Sequence, residues 1–136
     1  MSTQIFINLP VKDLNKSVAF FKAMGFTHNP KFTDETAACI VFSDEINVML
    51  LTHSKFKEFA RKPMADAHKS TEVLTCLTFD DKTRIDQIVD KAIAAGASEP
   101  RREPQLNDSM YMRSFDDLDG HVWEILCVKQ RAKVTS

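Results

Sequence analysis

The first candidate for chemistry is Glu124, a carboxylate inside a run of apolar residues near the end of the chain. Its neighbours Trp123 and Ile125 belong to the residue types that favour buried β-strands. The run follows the acidic turn Asp117-Leu118-Asp119-Gly120, in which Asp-Gly tolerates the positive φ of a tight reversal. Because a buried charge costs free energy unless it is paired or used, Glu124 requires either a partner or a function.

The four histidines are the next candidates, because imidazole can bind a metal or carry a proton. His121 lies three residues before Glu124, so strand alternation places the two side chains on opposite faces. His53 follows an apolar strand pattern, and His28 and His68 lie in predicted loops. Surface or turn positions are the favoured interpretation, and an unusual metal site that includes His53 or His121 stays open as the alternative.

The cysteines give no sign of a disulfide or a zinc site. Cys39, Cys76 and Cys127 are odd in number, lack CxxC spacing and each lie in an apolar, strand-like run. Buried, reduced thiols are therefore expected.

Composition argues against several classes of function. The chain of 136 residues has a formal net charge of −1 and no run of Lys or Arg, so neither nucleic acid nor a membrane surface is an expected partner. It contains no sequence motif of a phosphate loop, a dinucleotide fold, a zinc hydrolase or a nucleophile elbow. No long apolar segment and no N-terminal signal pattern is found, which predicts a cytoplasmic protein.

The elements that would position Glu124 form a repeat. Strand patterns in the first half lie at residues 5–9, 26–31, 37–42 and 46–52. Strand patterns in the second half lie at residues 73–79, 98–102, 109–115 and 121–128. Each half also contains one helix pattern, which begins after Asp13 or Asp81 and ends at Gly25 or Gly96. The order β-α-β-β-β thus occurs twice with a period of about 70 residues, which indicates two fused copies of one module.

These modules are expected to share a single domain that covers residues 1–136. Module 1 spans about residues 1–53, a linker spans about 54–71, and module 2 spans about 72–129. Within the linker, Phe56 and Phe59 mark a short amphipathic turn whose rings are expected to cover the edge of a core. The polar tail 129–136 is expected to fray.

Three motifs in the same order resemble the vicinal oxygen chelate superfamily, which includes glyoxalase I, extradiol dioxygenases and bleomycin-resistance proteins. The motifs are Val11-Lys12-Asp13-Leu14 with Ser17 and Phe20-Phe21, Met24-Gly25-Phe26, and Asp117-Leu118-Asp119-Gly120-His121 with Glu124. The resemblance covers nearly the whole chain and is greatest to bacterial glyoxalase-like proteins without an assigned reaction. It implies an α+β fold in which the two fused βαβββ modules form one curved eight-stranded sheet around a cup. It also implies a homodimer, which would cover Trp123, Phe56 and Phe59.

Metal sites in this superfamily take one donor from each of four strands. The corresponding positions here are Phe6, Leu50, Leu74 and Glu124. Phe and Leu offer no donor atom to a cation. Asn8 shares the strand face of Phe6, and Thr78 that of Leu74, but an amide or a hydroxyl replaces imidazole poorly. The resemblance therefore implies a degenerate site and no metal cofactor.

A cup that holds one carboxylate among apolar side chains is typical of a site for a small, partly apolar molecule. The residues expected to line it are Phe6, Asn8, Leu50, Leu74, Tyr111, Arg113 and Glu124. Glu124 could bind the ligand, act as a general acid or base, or be paired with Tyr111, Asn8 or Arg113 and serve only the fold. The main hypothesis is ligand binding without a metal or other cofactor. The alternatives are a metal-dependent lyase, isomerase or dioxygenase of the glyoxalase class, and a non-catalytic dimeric structural module.

Overall fold

A computed structural model describes residues 2–100, 105–106 and 109–128, and the chain divides into two compact units, Met1–Asp66 and Ala67–Ser136. Each unit contains the order β-α-β-β-β, so the predicted repeat and the α+β class are confirmed. The boundary between the units lies inside the predicted linker. No helix in the described part of the chain is long and apolar enough to cross a membrane.

The first unit contains four strands and two helices, with a short 3-10 turn at Pro30–Phe32. Its elements are β1 (Ile5–Val11), α1 (Leu14–Ala23), β2 (Thr27–Asn29), β3 (Ala37–Val41), β4 (Ile46–Thr52) and α2 (His53–Phe59). The side chain of Asp13 caps α1 by accepting a hydrogen bond from the Lys16 amide at 3.1 Å. Gly25 ends the helix with a φ of 103°, as its position in the sequence predicts.

The strands of the first unit form one sheet in the order β1-β4-β3-β2, in which β1 is parallel to β4. The parallel register pairs Leu9 with Leu50, so these side chains share a face. Helix α1 covers this face, which is called the helix face, and its Phe21 ring lies 6.1 Å from that of Phe42, the residue after β3. The opposite, far face carries the alternate residues of β1 and β4 and borders α2, which contacts both strands.

The second unit repeats the arrangement with one helix. Its elements are β5 (Leu74–Phe79), α3 (Lys82–Ala94), β6 (Gln105–Leu106), β7 (Met110–Asp116) and β8 (Val122–Val128). The strand predicted over residues 98–102 is instead an isolated bridge between Ser98 and Asp116, and residues 101–104 lie outside the described chain. The predicted tail 129–136 lies outside it as well.

The second sheet has the order β5-β8-β7, with the two-residue β6 paired to the edge of β7. Helix α3 buries Ile85, Ile88 and Val89. It packs on the sheet face that carries Phe115 and Trp123, and this is the helix face of the second unit. Residues of opposite parity form its far face.

Hydrogen bonding therefore joins the eight strands into two sheets, one in each unit. The single curved eight-stranded sheet expected from the family resemblance is not formed by strand pairing. The reason is that each sheet pairs only strands of its own module, in the same order in both units.

The acidic turn before β8 is held by the buried carboxylate of Asp117. One oxygen accepts hydrogen bonds from the amides of Asp119 and His121 at 2.9 and 3.0 Å, and the other accepts one from the indole Nε1 of Trp123 at 2.9 Å. Burial raises the pKa of Asp117, although His121 and these three donors act in the opposite direction. Trp123 is only 1% exposed, so the expectation that it needs cover from a second copy is wrong.

Candidate functional site

Glu124 lies in the middle of β8, on the far face of the second sheet. Its cross-strand neighbours are Cys76 on β5 and Ser114 on β7. The side chain is half-buried, and its carboxylate has no hydrogen-bond or ion-pair partner among the residues that the structure describes. The carboxylate of Glu124 therefore lies on the sheet face, and no described residue pairs with it.

The surroundings of Glu124 are largely apolar. Leu74 on β5 shares this face and is 56% exposed. Val122 and Leu126 on β8 itself and Met112 on β7 are half-exposed. The far face of the second sheet therefore combines accessible apolar side chains with the carboxylate of Glu124 near its centre, and Thr78, Ser114 and Asp116 share this face.

Cys76 is the exposed cysteine of this face, whereas Cys39 and Cys127 are buried. The prediction of buried thiols is therefore wrong for Cys76, because β5 is an edge strand whose far face is open. Partial burial, followed by the nearby charge of Glu124, raises the pKa of Cys76. The thiol next to Glu124 is therefore protonated and neutral at neutral pH.

Phe6 and Asn8 lie together on the far face of the first sheet. The Phe6 ring is 40% exposed, and the Asn8 side chain is exposed, with its amide donating to the Phe6 carbonyl at 3.3 Å. These two predicted site residues are therefore accessible on one face of the first unit, as strand alternation requires.

The structure does not place Leu50 beside them. Its side chain is fully buried on the helix face, because the register pairs it with Leu9. The register pairs Asn8 with Met49 instead, so the far face of β4 carries Met49 and Leu51. Phe6 and Leu50 therefore lie on opposite faces of the first sheet, because strand side chains alternate between the two faces.

Tyr111 and Arg113 also lie away from Glu124. The register pairs them with Cys127 and Ile125, on the helix face of the second sheet. The site residues that the sequence missed, Cys76 and Ser114, lie on the same face as Glu124, and only the register between the strands identifies them.

Arg113 instead binds three carboxylates. Its guanidinium donates two hydrogen bonds to Glu99, at 2.9 and 3.0 Å. It donates one further hydrogen bond to Asp86, at 3.1 Å, and one to Asp90, at 3.0 Å. These bonds raise the pKa of Arg113. The Tyr111 hydroxyl donates to Asp86 at 2.6 Å, and burial together with this bond raises its pKa to about 12. Both side chains therefore hold α3 against β7 and do not lie beside Glu124.

The residues present do not fit a metal. No group of three or more His, Cys, Asp or Glu side chains gathers within the described ranges. Phe6, Leu50 and Leu74 offer no donor atom, and Glu124 supplies a single carboxylate. His53 begins α2 in the first unit and His121 precedes β8 in the second, and neither belongs to such a group.

Comparisons with known proteins agree on one family. The profile described as bleomycin resistance protein-like N-terminal matches residues 3–43. A hypothetical protein from S. aureus is 30% identical, with a TM-score of 0.76 over 93% of this chain and 95% of that one. No curated protein sequence matches significantly.

Two further solved structures share the fold at lower identity. A glyoxalase/bleomycin resistance protein/dioxygenase family enzyme from Burkholderia phytofirmans is 19% identical, with a TM-score of 0.75 over 93% of this chain and 99% of that one. A bleomycin resistance determinant encoded on the transposon Tn5 is 20% identical, with a TM-score of 0.66 over 95% of this chain and 100% of that one.

Proposed function

This chain belongs to the glyoxalase/bleomycin resistance/dioxygenase superfamily, and on that premise we propose that it binds a small, partly apolar molecule without a metal. The proposed site is the far face of the second sheet, centred on Glu124. The observation that carries the proposal is the half-buried carboxylate of Glu124, which has no partner among the described residues and lies among accessible apolar side chains.

The chemistry of this face defines the class of ligand. An aromatic or aliphatic body would cover Leu74, Leu126 and Met112, since burial of apolar surface is favourable. A cationic or hydrogen-donating group would pair with Glu124, because a bond to a charged acceptor is among the stronger hydrogen bonds. The neutral thiol of Cys76 adds no competing charge. A partly apolar amine fits this face better than an acid does.

The resistance determinant of Tn5 supports the choice of a first compound. Bleomycin is therefore the first probe, followed by smaller molecules that separate charge from shape. A matched set is 4-phenylbutylamine, 4-phenylbutyramide and 4-phenylbutyrate, which share one apolar body and differ in their head group.

The decisive experiment compares Glu124→Gln with the wild type by calorimetry and melting curves. Because the amide has the same shape and removes a partly buried charge, the variant should keep its melting temperature. Binding of the amine should weaken by about 1.5–3 kcal/mol, the contribution of a hydrogen bond to a charged group. Glu72→Gln, an exposed carboxylate of the same unit, is the matched control. A Gln variant that is less stable, with no ligand effect in either protein, would show that Glu124 serves only the fold.

Alkylation of Cys76 provides an independent readout of the same face. Its exposure, against burial of Cys39 and Cys127, should make it the first thiol to react with iodoacetamide. Because its pKa is raised, labelling is best done at alkaline pH. A ligand bound at Glu124 should slow this labelling, and unchanged labelling with saturating ligand would place the ligand elsewhere.

The remaining expectations stay predictions. They are the homodimer, the enclosed cup and the cytoplasmic location. Trp123 no longer supports the dimer, since its side chain is buried.

A further inference from the structure

We propose that the first unit carries a second binding site, which takes a small aromatic or aliphatic carboxylate. The site is a groove of about 600 Å³ between α2 and the far face of the first sheet. It is lined by Asn8, Leu51, Phe56, Phe59 and Ala60. Its volume is within the range of roughly 300–1,000 Å³ that small-molecule sites occupy.

The two phenylalanines of α2 leave apolar surface in the groove that a ligand could cover. The helix has no buried residue, although it contains Phe56 and Phe59. Phe59 is 69% exposed, the highest value for a large apolar side chain in the described chain. Leu51, on the sheet side of the groove, is buried. An apolar body placed between these side chains would remove exposed ring surface from water, which is favourable.

Charge on α2 selects the head group of the ligand. The Lys55 ammonium lies 5.5 Å from the centre of the ring of Phe59, which lines the groove. Its partner is Glu58 at 3.8 Å, an exposed pair of the kind that contributes little stability. Asp34 also acts on Lys55, but its carboxylate already accepts bonds from Thr36 and Ala37. A ligand carboxylate can therefore share Lys55 at small cost.

The other charges around α2 are mostly positive, like that of Lys55. Residues 53–62 contain four Lys or Arg and a single acidic residue, Glu58. Asn8 adds an amide at the groove, whose bond to the Phe6 carbonyl is long at 3.3 Å. An acid with an apolar body thus matches the rings, the cation and the amide together.

This site differs from the one at Glu124 in its residues and in its ligand. All of its lining residues belong to the first unit, and it prefers the opposite ligand charge. Amine binding that depends on Glu124 reports the proposed function, whereas carboxylate binding that depends on α2 reports the groove. The two proposals can therefore fail separately.

The experiment is calorimetric titration of the full chain with 4-phenylbutyrate, 4-phenylbutyramide and 4-phenylbutylamine. In Phe59→Ala, the affinity for 4-phenylbutyrate should fall by about tenfold, since an aromatic contact that the ligand would bury is lost. In Lys55→Gln, the preference for the carboxylate over the amide should disappear. Lys57→Gln removes an exposed charge from the same helix and should keep the preference. Phe59 and Lys57 are exposed, so melting curves should show intact folding.

Several results would overturn the proposal. One is no heat of binding with 4-phenylbutyrate at millimolar concentration, and another is equal binding of the carboxylate and the amide by the wild type. A third is a Phe59→Ala variant that binds unchanged. If Phe59→Ala instead converts a dimer to a monomer while no probe binds, the groove is an interface between copies of the chain.

Discussion

At the scale of single residues, Tyr111 offers the most direct test, because it is the only tyrosine in the chain. Its hydroxyl donates to Asp86, and its pKa is raised to about 12 from an ordinary value of roughly 10. We expect the tyrosinate absorbance to titrate with a midpoint near 12. Asp86→Asn should lower that midpoint, because it removes the charged acceptor. A wild-type midpoint near 10 in the folded protein would contradict the hydrogen bond.

The same shift has a consequence for stability. Because the folded pKa is raised, the folded state holds this proton more tightly than the unfolded state does. The contribution of Tyr111 is therefore fully present below pH 10 and is lost as the pH rises towards 12. The matching observation is a fall in melting temperature over that interval, which Tyr111→Phe should reduce.

Asp117 is the second residue with a strong expected effect. Asp117→Ala removes three hydrogen-bond acceptor contacts and leaves the buried indole of Trp123 without its partner. We expect a loss of about 2–4 kcal/mol of unfolding free energy. Trp123 is the only tryptophan, so urea unfolding followed by its fluorescence measures the loss directly. Asp80→Ala, an exposed aspartate of the same unit, should change stability by less than about 0.5 kcal/mol.

At the scale of the elements, the turn before β8 requires glycine for two reasons. Gly120 has a φ of 86°, and a Cβ there would lie 2.7 Å from the amide nitrogen of His68 and 2.8 Å from the carbonyl carbon of Ala67. We expect Gly120→Ala to cost about 2–4 kcal/mol, measured by chemical unfolding.

Gly25 provides the matched control for this substitution. It has a φ of 103°, but a Cβ there would meet nothing within 4 Å. Gly25→Ala should therefore cost only the backbone strain, about 1–2 kcal/mol. Equal losses at the two positions would mean that the approach of residues 67–68 to the turn is unimportant.

At the scale of the whole molecule, we predict that the purified protein contains no stoichiometric transition metal. The reason is the donor set, since Phe6, Leu50 and Leu74 occupy three of the four donor positions implied by the family resemblance and offer no donor atom. A chelator should leave the melting temperature unchanged, and metal analysis should find far less than one ion per chain. A metal bound through Glu124 and further donors would restore the enzyme hypothesis.

Much of the fold could be predicted because its signals are local. Asp13 and Asp81 cap the two main helices, Gly25 and Gly96 follow them with positive φ, and the strand patterns repeat in the same order. A cap or a turn depends on residues within a few positions, so one sequence is enough to find it. The loss of metal donors at Phe6 and Leu74 is also a matter of residue type alone.

Which side chains meet could only be decided by the tertiary structure, because strand register is a contact between distant segments. The register places Leu50 on the helix face, whereas the family resemblance implied a position beside Phe6. Register also turned Tyr111 and Arg113 towards α3, and brought Cys76 beside Glu124. The sequence alone determined that Glu124 is an unusual carboxylate in an apolar strand. Pairing between strands decided that its neighbours are a thiol, a hydroxyl and accessible apolar side chains, because each strand's faces are set by the strand beside it.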